Sequence, residues 1–123
     1  MGIKLVIADD HSMIREGLRQ LLELDENLKV VAEASDGKEA LEKLDEYNVD
    51  VLLLDINMPN MNGIDLIKSL RQLVAYKFVP IIALTTESQD DKMQEGKAAG
   101  ATGWIVKPFT SEKLIAIVNK ILG

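Results

Sequence analysis

The chain has 123 residues with no cysteine, 47% apolar residues and 28% charged residues, a composition that fits one soluble domain with its own core rather than a disordered segment. The missing cysteines exclude a disulfide framework, a thiolate metal site and a thiol nucleophile. The net charge of −6 without a basic stripe argues against a nucleic-acid partner, and no apolar run approaches the ~20 residues that a membrane span needs.

Short β-rich runs alternate with helical patterns along the chain. The first run follows the N-terminus directly, where no signal peptide is seen, so we expect a cytoplasmic protein. Apolar stripes at helical spacing follow each run. A first helix is expected over residues 12–24 with Ser12 as its N-cap. The other helices are expected to begin after the acidic cap Asp36, at Ile64, near Ser88 and at Ser111. Strands are predicted at residues 3–8, 28–34, 51–54, 79–84 and 104–106.

This alternation predicts an α/β fold, an open parallel sheet of five strands with helices on both faces. The chain shows no linker, repeat or low-complexity segment, so residues 1–123 are expected to form a single domain. In such sheets a ligand binds beyond the carboxyl ends of the strands, where the strand order reverses. With the order 2-1-3-4-5, that point lies between the first and third strands.

Polar residues capable of chemistry follow four of the predicted strands. Asp9 and Asp10 follow the first strand, Asp55 the third, Thr85 the fourth and Lys107 the fifth. Three carboxylates at neighbouring strand ends repel one another unless a cation screens them. Because every candidate ligand is an oxygen atom and no histidine pair is present, the sequence favours Mg²⁺ as the cofactor.

Four motifs at these strand ends carry a resemblance to a known family. They are Ala8 to Asp10, Leu54 to Pro59 with Gly63, Ala83 to Thr85, and Val106 to Phe109. With them the chain resembles the receiver domain of two-component response regulators over its whole length. The resemblance implies a flavodoxin-like (βα)5 sheet that accepts a phosphoryl group from a histidine kinase onto one aspartate. It also implies a phospho-acceptor that assists its own phosphotransfer and dephosphorylation, not an enzyme acting on other substrates.

The resemblance assigns the acidic residues and one backbone group to phosphoryl and metal binding. Asp55 is the expected phospho-acceptor, and Asp10 the expected direct ligand of Mg²⁺. Asp9 is expected to act mainly through a metal-bound water, and the backbone carbonyl of Asn57 to be the third protein ligand. An aspartyl-phosphate hydrolase would need a second aspartate where Asn57 stands, so that class is disfavoured.

The remaining candidates are side chains that would contact the phosphoryl group or respond to it. Thr85 is expected to supply a hydroxyl and Lys107 an ammonium to the phosphoryl oxygens. Thr85 is also the expected switch residue, together with Trp104, whose alternative is a packed interface aromatic. His11 either lies at the rim as a bystander or tunes the metal or phosphoryl chemistry.

The expected partners are a histidine kinase or phosphotransfer protein and a downstream target. The target would bind a face made of the fourth helix, fifth strand and fifth helix, and the unphosphorylated chain is expected to be a monomer.

The motifs give a mixed picture of the subclass. The C-terminal half resembles single-domain chemotaxis regulators, whereas Asp9 to Leu18 resembles receivers attached to DNA-binding domains. One alternative is therefore a chimera joined between residues 55 and 80. Another is an engineered or recombined scaffold with the receiver fold and no physiological signalling partner.

Overall fold

The computed structural model describes residues 2–56, 63–85, 90–106 and 110–122, with the backbone alone at 90–93 and 122. Five strands alternate with helices in this part of the chain, as predicted. The strands are β1 (Ile3–Ala8), β2 (Leu28–Ala34), β3 (Val51–Asp55), β4 (Ile81–Thr85) and β5 (Gly103–Val106). The helices are α1 (Ser12–Leu22), α2 (Gly37–Glu46), α3 (Gly63–Gln72), α4 (Asp90–Ala99) and α5 (Ser111–Leu122), with a 3-10 turn at Val74–Tyr76.

The strands form one parallel sheet in the order β2-β1-β3-β4-β5, which confirms the predicted topology. The register aligns the carboxyl ends of the central strands, because Ala8 pairs with Leu54 and Asp55 pairs with Leu84. At the next position along, Thr85 of β4 pairs with Val106 of β5. Residues that directly follow β1 and β3 therefore meet at one edge of the sheet, where the strand order reverses.

Successive strand residues point to opposite faces of the sheet, so the sheet separates two apolar cores. One core lies under α1 and α5 and includes Leu53 of β3 and Leu18 of α1. The other lies under α2, α3 and α4 and includes Leu54 of β3 and Leu66 of α3. All five residues of β3 are buried, as its continuous apolar run predicts.

Two details of the helix ends bear on the sequence predictions. Asp36 caps α2 as predicted, since its Oδ1 accepts a hydrogen bond of 2.8 Å from the backbone N–H of Glu39. The prediction that Ser12 caps α1 is wrong, because His11 holds the cap position and makes no side-chain capping bond. Helix α1 also ends at Leu22 and not at Leu24, whose side chain is 69% exposed and contributes nothing to the core.

Arg71, in the last turn of α3, makes hydrogen bonds at the amino end of the sheet. The sequence did not single out this residue. Its guanidinium donates to the carbonyl of Gly100, just after α4, and to that of Val79, just before β4. Burial lowers the pKa of Arg71 from its ordinary value. Gly100 has a φ of +115°, a conformation that glycine adopts readily at a helix C-terminus. Arg71 thus ties the end of α4 to the start of β4.

None of the helices in the described ranges is both long enough and apolar enough to cross a membrane.

Candidate functional site

The predicted carboxylates converge at the carboxyl end of the sheet. Asp9 follows β1 and is fully buried, and Asp55 ends β3 with only 4% of its surface exposed. A backbone hydrogen bond of 3.0 Å from Asp9 N–H to the carbonyl of Ala34 holds the end of β1 against β2. One ligand atom from each of Asp9, Asp10, His11 and Asp55 lies within 4.8 Å of the others. The two buried acids and their neighbours thus form one acidic cluster.

Asp10 provides the observation that tests whether a cation fits this cluster. Its Oδ1 is buried and accepts no hydrogen bond from the described residues, although a buried polar atom is normally paired. Its side chain as a whole remains 22% exposed, so an ion from solvent could reach it. Carboxylate oxygens are the ligands that Mg²⁺ prefers in proteins. The donor set and the buried oxygen therefore fit a divalent cation held by Asp9, Asp10 and Asp55.

His11, whose role the sequence left open, belongs to the same cluster. Its Nδ1 lies 3.0 Å from Asp10 Oδ1 and 3.4 Å from Asp9 Oδ1. Its backbone N–H donates a hydrogen bond of 2.9 Å to Asp9 Oδ1, and its side chain is 64% exposed. His11 thus sits at the mouth of the cluster and in contact with two of the acids.

A layer of charged residues behind the acids holds the loop after β1 in place, and the sequence did not predict it. Arg15 of α1 donates a hydrogen bond to the backbone carbonyl of Asp9. The same guanidinium forms an ion pair with Glu33 of β2, with Nε 3.1 Å from Oε1, and Arg19 pairs with the other oxygen of Glu33. The available signal was Glu33 itself, an acidic residue within a strand between the buried Ala32 and Ala34.

The polar residue predicted after the fourth strand also lies at this edge. Thr85 is the last residue of β4 and is fully buried. The strand beside it continues past Asp55, since the N–H of Ile56 donates to the carbonyl of Leu84 at 3.1 Å. The register therefore places Thr85 one residue beyond the level of Asp55 on the adjacent strand. Asn57 and Lys107, the other two predicted site residues, lie outside the described residues.

Gly63 allows α3 to begin close to the acceptor strand. Its N–H donates to the carbonyl of Ile56 at 3.2 Å. A Cβ atom at this position would lie 2.4 Å from the Cα of Ile56, closer than real Cβ atoms come. Gly63 therefore has a packing role next to the site.

The side chain of Trp104 packs against α4. A Cβ atom on Gly96 of α4 would lie 2.2 Å from Cζ3 of the indole ring, so the ring rests directly on the glycine backbone. The indole Nε1 is buried and has no hydrogen-bond partner among the described residues. The structure thus places Trp104 at the contact between β5 and α4.

Comparison with known proteins gives consistent results for sequence and structure. The family profile described as the response regulator receiver domain matches residues 5–119. The chemotaxis protein CheY of Pseudomonas aeruginosa is 40% identical over 119 residues, which cover 97% of this chain and 95% of that protein. The transcriptional regulatory protein YdfI of Bacillus subtilis is 40% identical over 111 residues, 90% of this chain but only 51% of that protein.

Solved structures agree with this assignment. The chemotaxis response regulator CheY4 of Vibrio cholerae is 42% identical, with a TM-score of 0.88 over 98% of this chain and 99% of that one. A LuxR-family response regulator from Aurantimonas is 29% identical, with a TM-score of 0.92 over 99% of this chain and 86% of that one. The chain thus spans about half the length of YdfI and nearly all of the chemotaxis proteins.

Proposed function

We propose that this chain, which belongs to the response regulator receiver domain family, is a phosphorylation-dependent signalling switch of the CheY type and that Asp55 is its phospho-acceptor. The observation that carries this proposal is the place of Asp55: a buried carboxylate at the end of β3, within 4.8 Å of ligand atoms from two further acids. Receiver domains are phospho-acceptor proteins rather than classical enzymes.

The proposed transfer uses the Asp55 carboxylate as a nucleophile. One carboxylate oxygen forms a bond to phosphorus while the bond from phosphorus to the donor breaks, and the donor atom keeps the electron pair. The donor is the phosphohistidine nitrogen of a kinase or phosphotransfer protein, or an oxygen of a small phosphodonor. The sheet contributes positioning, because Asp55 is fixed by the ladder between β3 and β4.

Receiver domains bind Mg²⁺ at the acidic phosphorylation site, and the donor set here fits that ion. We assign Asp10 and Asp55 as direct ligands, Asp9 as a ligand acting mainly through water, and the backbone carbonyl of Asn57 as the third protein ligand. When bound, the ion neutralises charge on the phosphoryl oxygens. Arg15 keeps the Asp9 backbone in place through its hydrogen bond to the carbonyl and its pairing with Glu33.

Thr85 and Lys107 are proposed to bind the phosphoryl oxygens and to start the switch. Thr85 supports this role because it is buried one residue past the acceptor level on the neighbouring strand. Its register partner on β5 is Val106, two residues beyond Trp104. A shift of Thr85 toward the phosphoryl group would therefore alter packing along β5, where Trp104 contacts α4. Trp104 is proposed to transmit that shift.

We propose that the face made of α4, β5 and α5 binds the downstream target and that the unphosphorylated protein is a cytoplasmic monomer. Receiver domains interact with histidine kinases or phosphotransfer proteins and with downstream targets. The relatives of this chain are of two kinds, chemotaxis proteins and transcriptional regulators.

The two kinds of relative also bear on the chimera. CheY and YdfI each match across at least 90% of this chain, at the same 40% identity. The family profile runs through residues 55 to 80 without a break, within its match to residues 5–119. The comparisons therefore support neither a chimera nor a scaffold without a signalling role.

Labelling by acetyl phosphate in the presence of Mg²⁺, followed by intact mass, tests the acceptor assignment. We expect one added phosphoryl group on the parent and none on Asp55→Asn, since the amide lacks the anionic nucleophile. Asp65→Asn makes the same change at an exposed acid of α3 and is the matched control. Labelling of Asp55→Asn at the parent level would place the acceptor elsewhere.

We further propose that the phosphoryl group is lost quickly. The resemblance implies that the rate depends on the residues two places after the acceptor and two places after the switch threonine. These are Asn57 and Glu87, a small polar and an acidic residue that would leave a water molecule room to attack; both lie outside the described residues. Trp104 gives a fluorescence readout of the decay after the phosphodonor is removed. A larger side chain at Asn57 should slow the decay without preventing labelling. An unchanged decay in that variant would contradict the water-access argument.

A further inference from the structure

We propose that His11 Nδ1 is an additional ligand of the ion in the acidic cluster, so that the site favours ions that bind imidazole, such as Zn²⁺, more than its carboxylates alone would. This inference rests on the metal site of the proposed function. It concerns a residue whose role the sequence had left open and which the carboxylate ligand set does not include.

The positions of the ligand atoms carry the proposal. Nδ1 of His11 lies 3.0 Å from Asp10 Oδ1 and 3.4 Å from Asp9 Oδ1, and the cluster also reaches Asp55 within 4.8 Å. Two atoms bound to one ion at the usual ~2.1 Å lie about 3.0–3.4 Å apart in octahedral or tetrahedral geometry. The 3.0 Å between Nδ1 and Asp10 Oδ1, the oxygen assigned as a direct ligand, is therefore the spacing of two ligands of one ion.

A simple hydrogen bond accounts less well for the same contacts. The Asp10 oxygen accepts no hydrogen bond even though Nδ1 lies only 3.0 Å away. The Asp9 contact is longer, at 3.4 Å, and that oxygen already accepts the backbone N–H of His11 at 2.9 Å. One ring N–H can point at only one acceptor. A cation bound by Nδ1 and by Asp10 would give the buried oxygen of Asp10 a partner.

The backbone holds the imidazole at the site before any ion binds. His11 occupies the cap position of α1 with φ −100° and ψ 113°, and its carbonyl accepts the hydrogen bond from the N–H of Arg15 at 3.0 Å. Its own N–H is bound to Asp9. Because the loop is fixed on both sides, little conformational entropy remains to be lost when the ring binds an ion. The 64% exposure of the side chain keeps the site open to solvent.

An imidazole nitrogen changes which ions the site prefers. Mg²⁺ takes oxygen ligands almost exclusively, whereas Zn²⁺ binds histidine nitrogen and carboxylate oxygen together. His11 is the one histidine in the sequence, and there is no cysteine. No other imidazole or thiolate can therefore contribute to binding, and a change in ion preference at His11→Gln reports on this ring alone.

The affinities of Zn²⁺ and Mg²⁺, measured by titration calorimetry at one fixed pH and ionic strength, test the proposal. We expect His11→Gln to weaken Zn²⁺ binding by about tenfold or more and Mg²⁺ binding by no more than about threefold, as loss of a nitrogen ligand implies. Asp10→Asn should weaken both ions and is the control for the carboxylate ligands. Equal effects of His11→Gln on the two ions, or no effect on either, would overturn the proposal.

Nitrogen NMR of the single imidazole gives a direct second measurement. With ¹¹³Cd²⁺ as the probe, we expect a one-bond coupling from the metal to Nδ1 of His11 in the parent protein. Bound ¹¹³Cd²⁺ without that coupling would limit His11 to a loop-holding role and overturn the inference. A parent protein that binds neither Mg²⁺ nor Zn²⁺ would instead remove the metal site itself and with it part of the proposed function. The two failures are thus distinguishable.

Discussion

Replacing Asp10 with asparagine should raise the stability of the metal-free protein and remove its stabilisation by Mg²⁺. The carboxylates of Asp9, Asp10 and Asp55 offer oxygens within 4.8 Å of one another. In the absence of a cation these like charges repel, and the amide at position 10 keeps nearly the same shape without the charge. The prediction is therefore a reversal of the stability order when Mg²⁺ is added.

The magnitude follows from the spacing. Two unit charges 4.8 Å apart repel by about 3.5 kcal/mol at an effective dielectric constant of ~20. Asp10 is 22% exposed and lies beside His11, so solvent and the imidazole reduce the gain to about 1–2 kcal/mol. A domain of this size gains about 3–8 °C in melting temperature from that energy. Mg²⁺ at a hundred times its dissociation constant stabilises the parent by about 2.7 kcal/mol, enough to restore its lead.

Thermal unfolding followed by circular dichroism measures both effects, first in a chelator and then in Mg²⁺, at low ionic strength. Glu42→Gln removes one charge from an exposed position of α2 and is the matched control. It should move the melting temperature little in either condition. High salt should shrink the metal-free difference for Asp10→Asn, since it screens the repulsion.

Two outcomes would refute the reasoning separately. A metal-free Asp10→Asn that melts no higher than Glu42→Gln would show that repulsion among the acids does not limit stability. An Asp10→Asn protein that Mg²⁺ stabilises as much as it does the parent would show that Asp10 is not a ligand.

Two further predictions concern contacts away from the acids. Gly96→Ala should lower the free energy of unfolding in denaturant by about 1–3 kcal/mol, because the methyl group would lie 2.2 Å from the Trp104 ring. Gly17→Ala is the control, because nothing lies within 4 Å of a Cβ atom at that position, and it should stabilise α1 by about 0.5–1 kcal/mol. Equal effects of the two substitutions on the free energy of unfolding would contradict the packing of Trp104 on Gly96. The hydrogen bond to Asp45 raises the pKa of Tyr76 to about 12, so Asp45→Asn should bring phenolate absorbance to appear at lower pH. Since the pKa of Tyr76 is raised in the folded state, the stability from its hydrogen bond to Asp45 is present below the ordinary pKa of tyrosine and is lost as pH rises through about 12. The same phenolate titration in Asp45→Asn and the parent would contradict this assignment.

The sequence predicted the fold and the strand-end residues because both depend on local patterns. The apolar run of β3 requires burial on both faces, and a parallel sheet brings residues after neighbouring strands to one edge. Asp9, Asp55 and Thr85 could therefore be placed from chain order alone, and the structure buries all three. The predictions for Asn57 and Lys107 lie outside the described residues.

The contacts that the sequence did not predict depend on how elements pack. Arg15 meets Glu33 across 18 residues of sequence, and Arg71 meets Gly100 across 29. The first pairing depends on the packing of α1 on β2, and the second on the packing of α3 beside α4, so neither can be predicted from local sequence patterns. The position of His11 likewise depends on the backbone angles at the start of α1, which put its ring back over Asp9 and Asp10.

The division of the interior into two cores sets how costly it is to move each helix. Helix α1 anchors one core with Leu18 and Leu22, and withdrawing each such side chain costs about 1.5–3 kcal/mol. In α4 the structure describes the side chains of residues 94–99. Ala99 is the sole member of a core among them, and Gly96 contacts Trp104 through its backbone alone. A displacement of residues 94–99 would therefore withdraw one core side chain and uncover the Trp104 ring, and it would leave the opposite core intact. We therefore expect a given free-energy change at the acidic cluster to displace this part of α4 more readily than α1 or the strands that hold the acids.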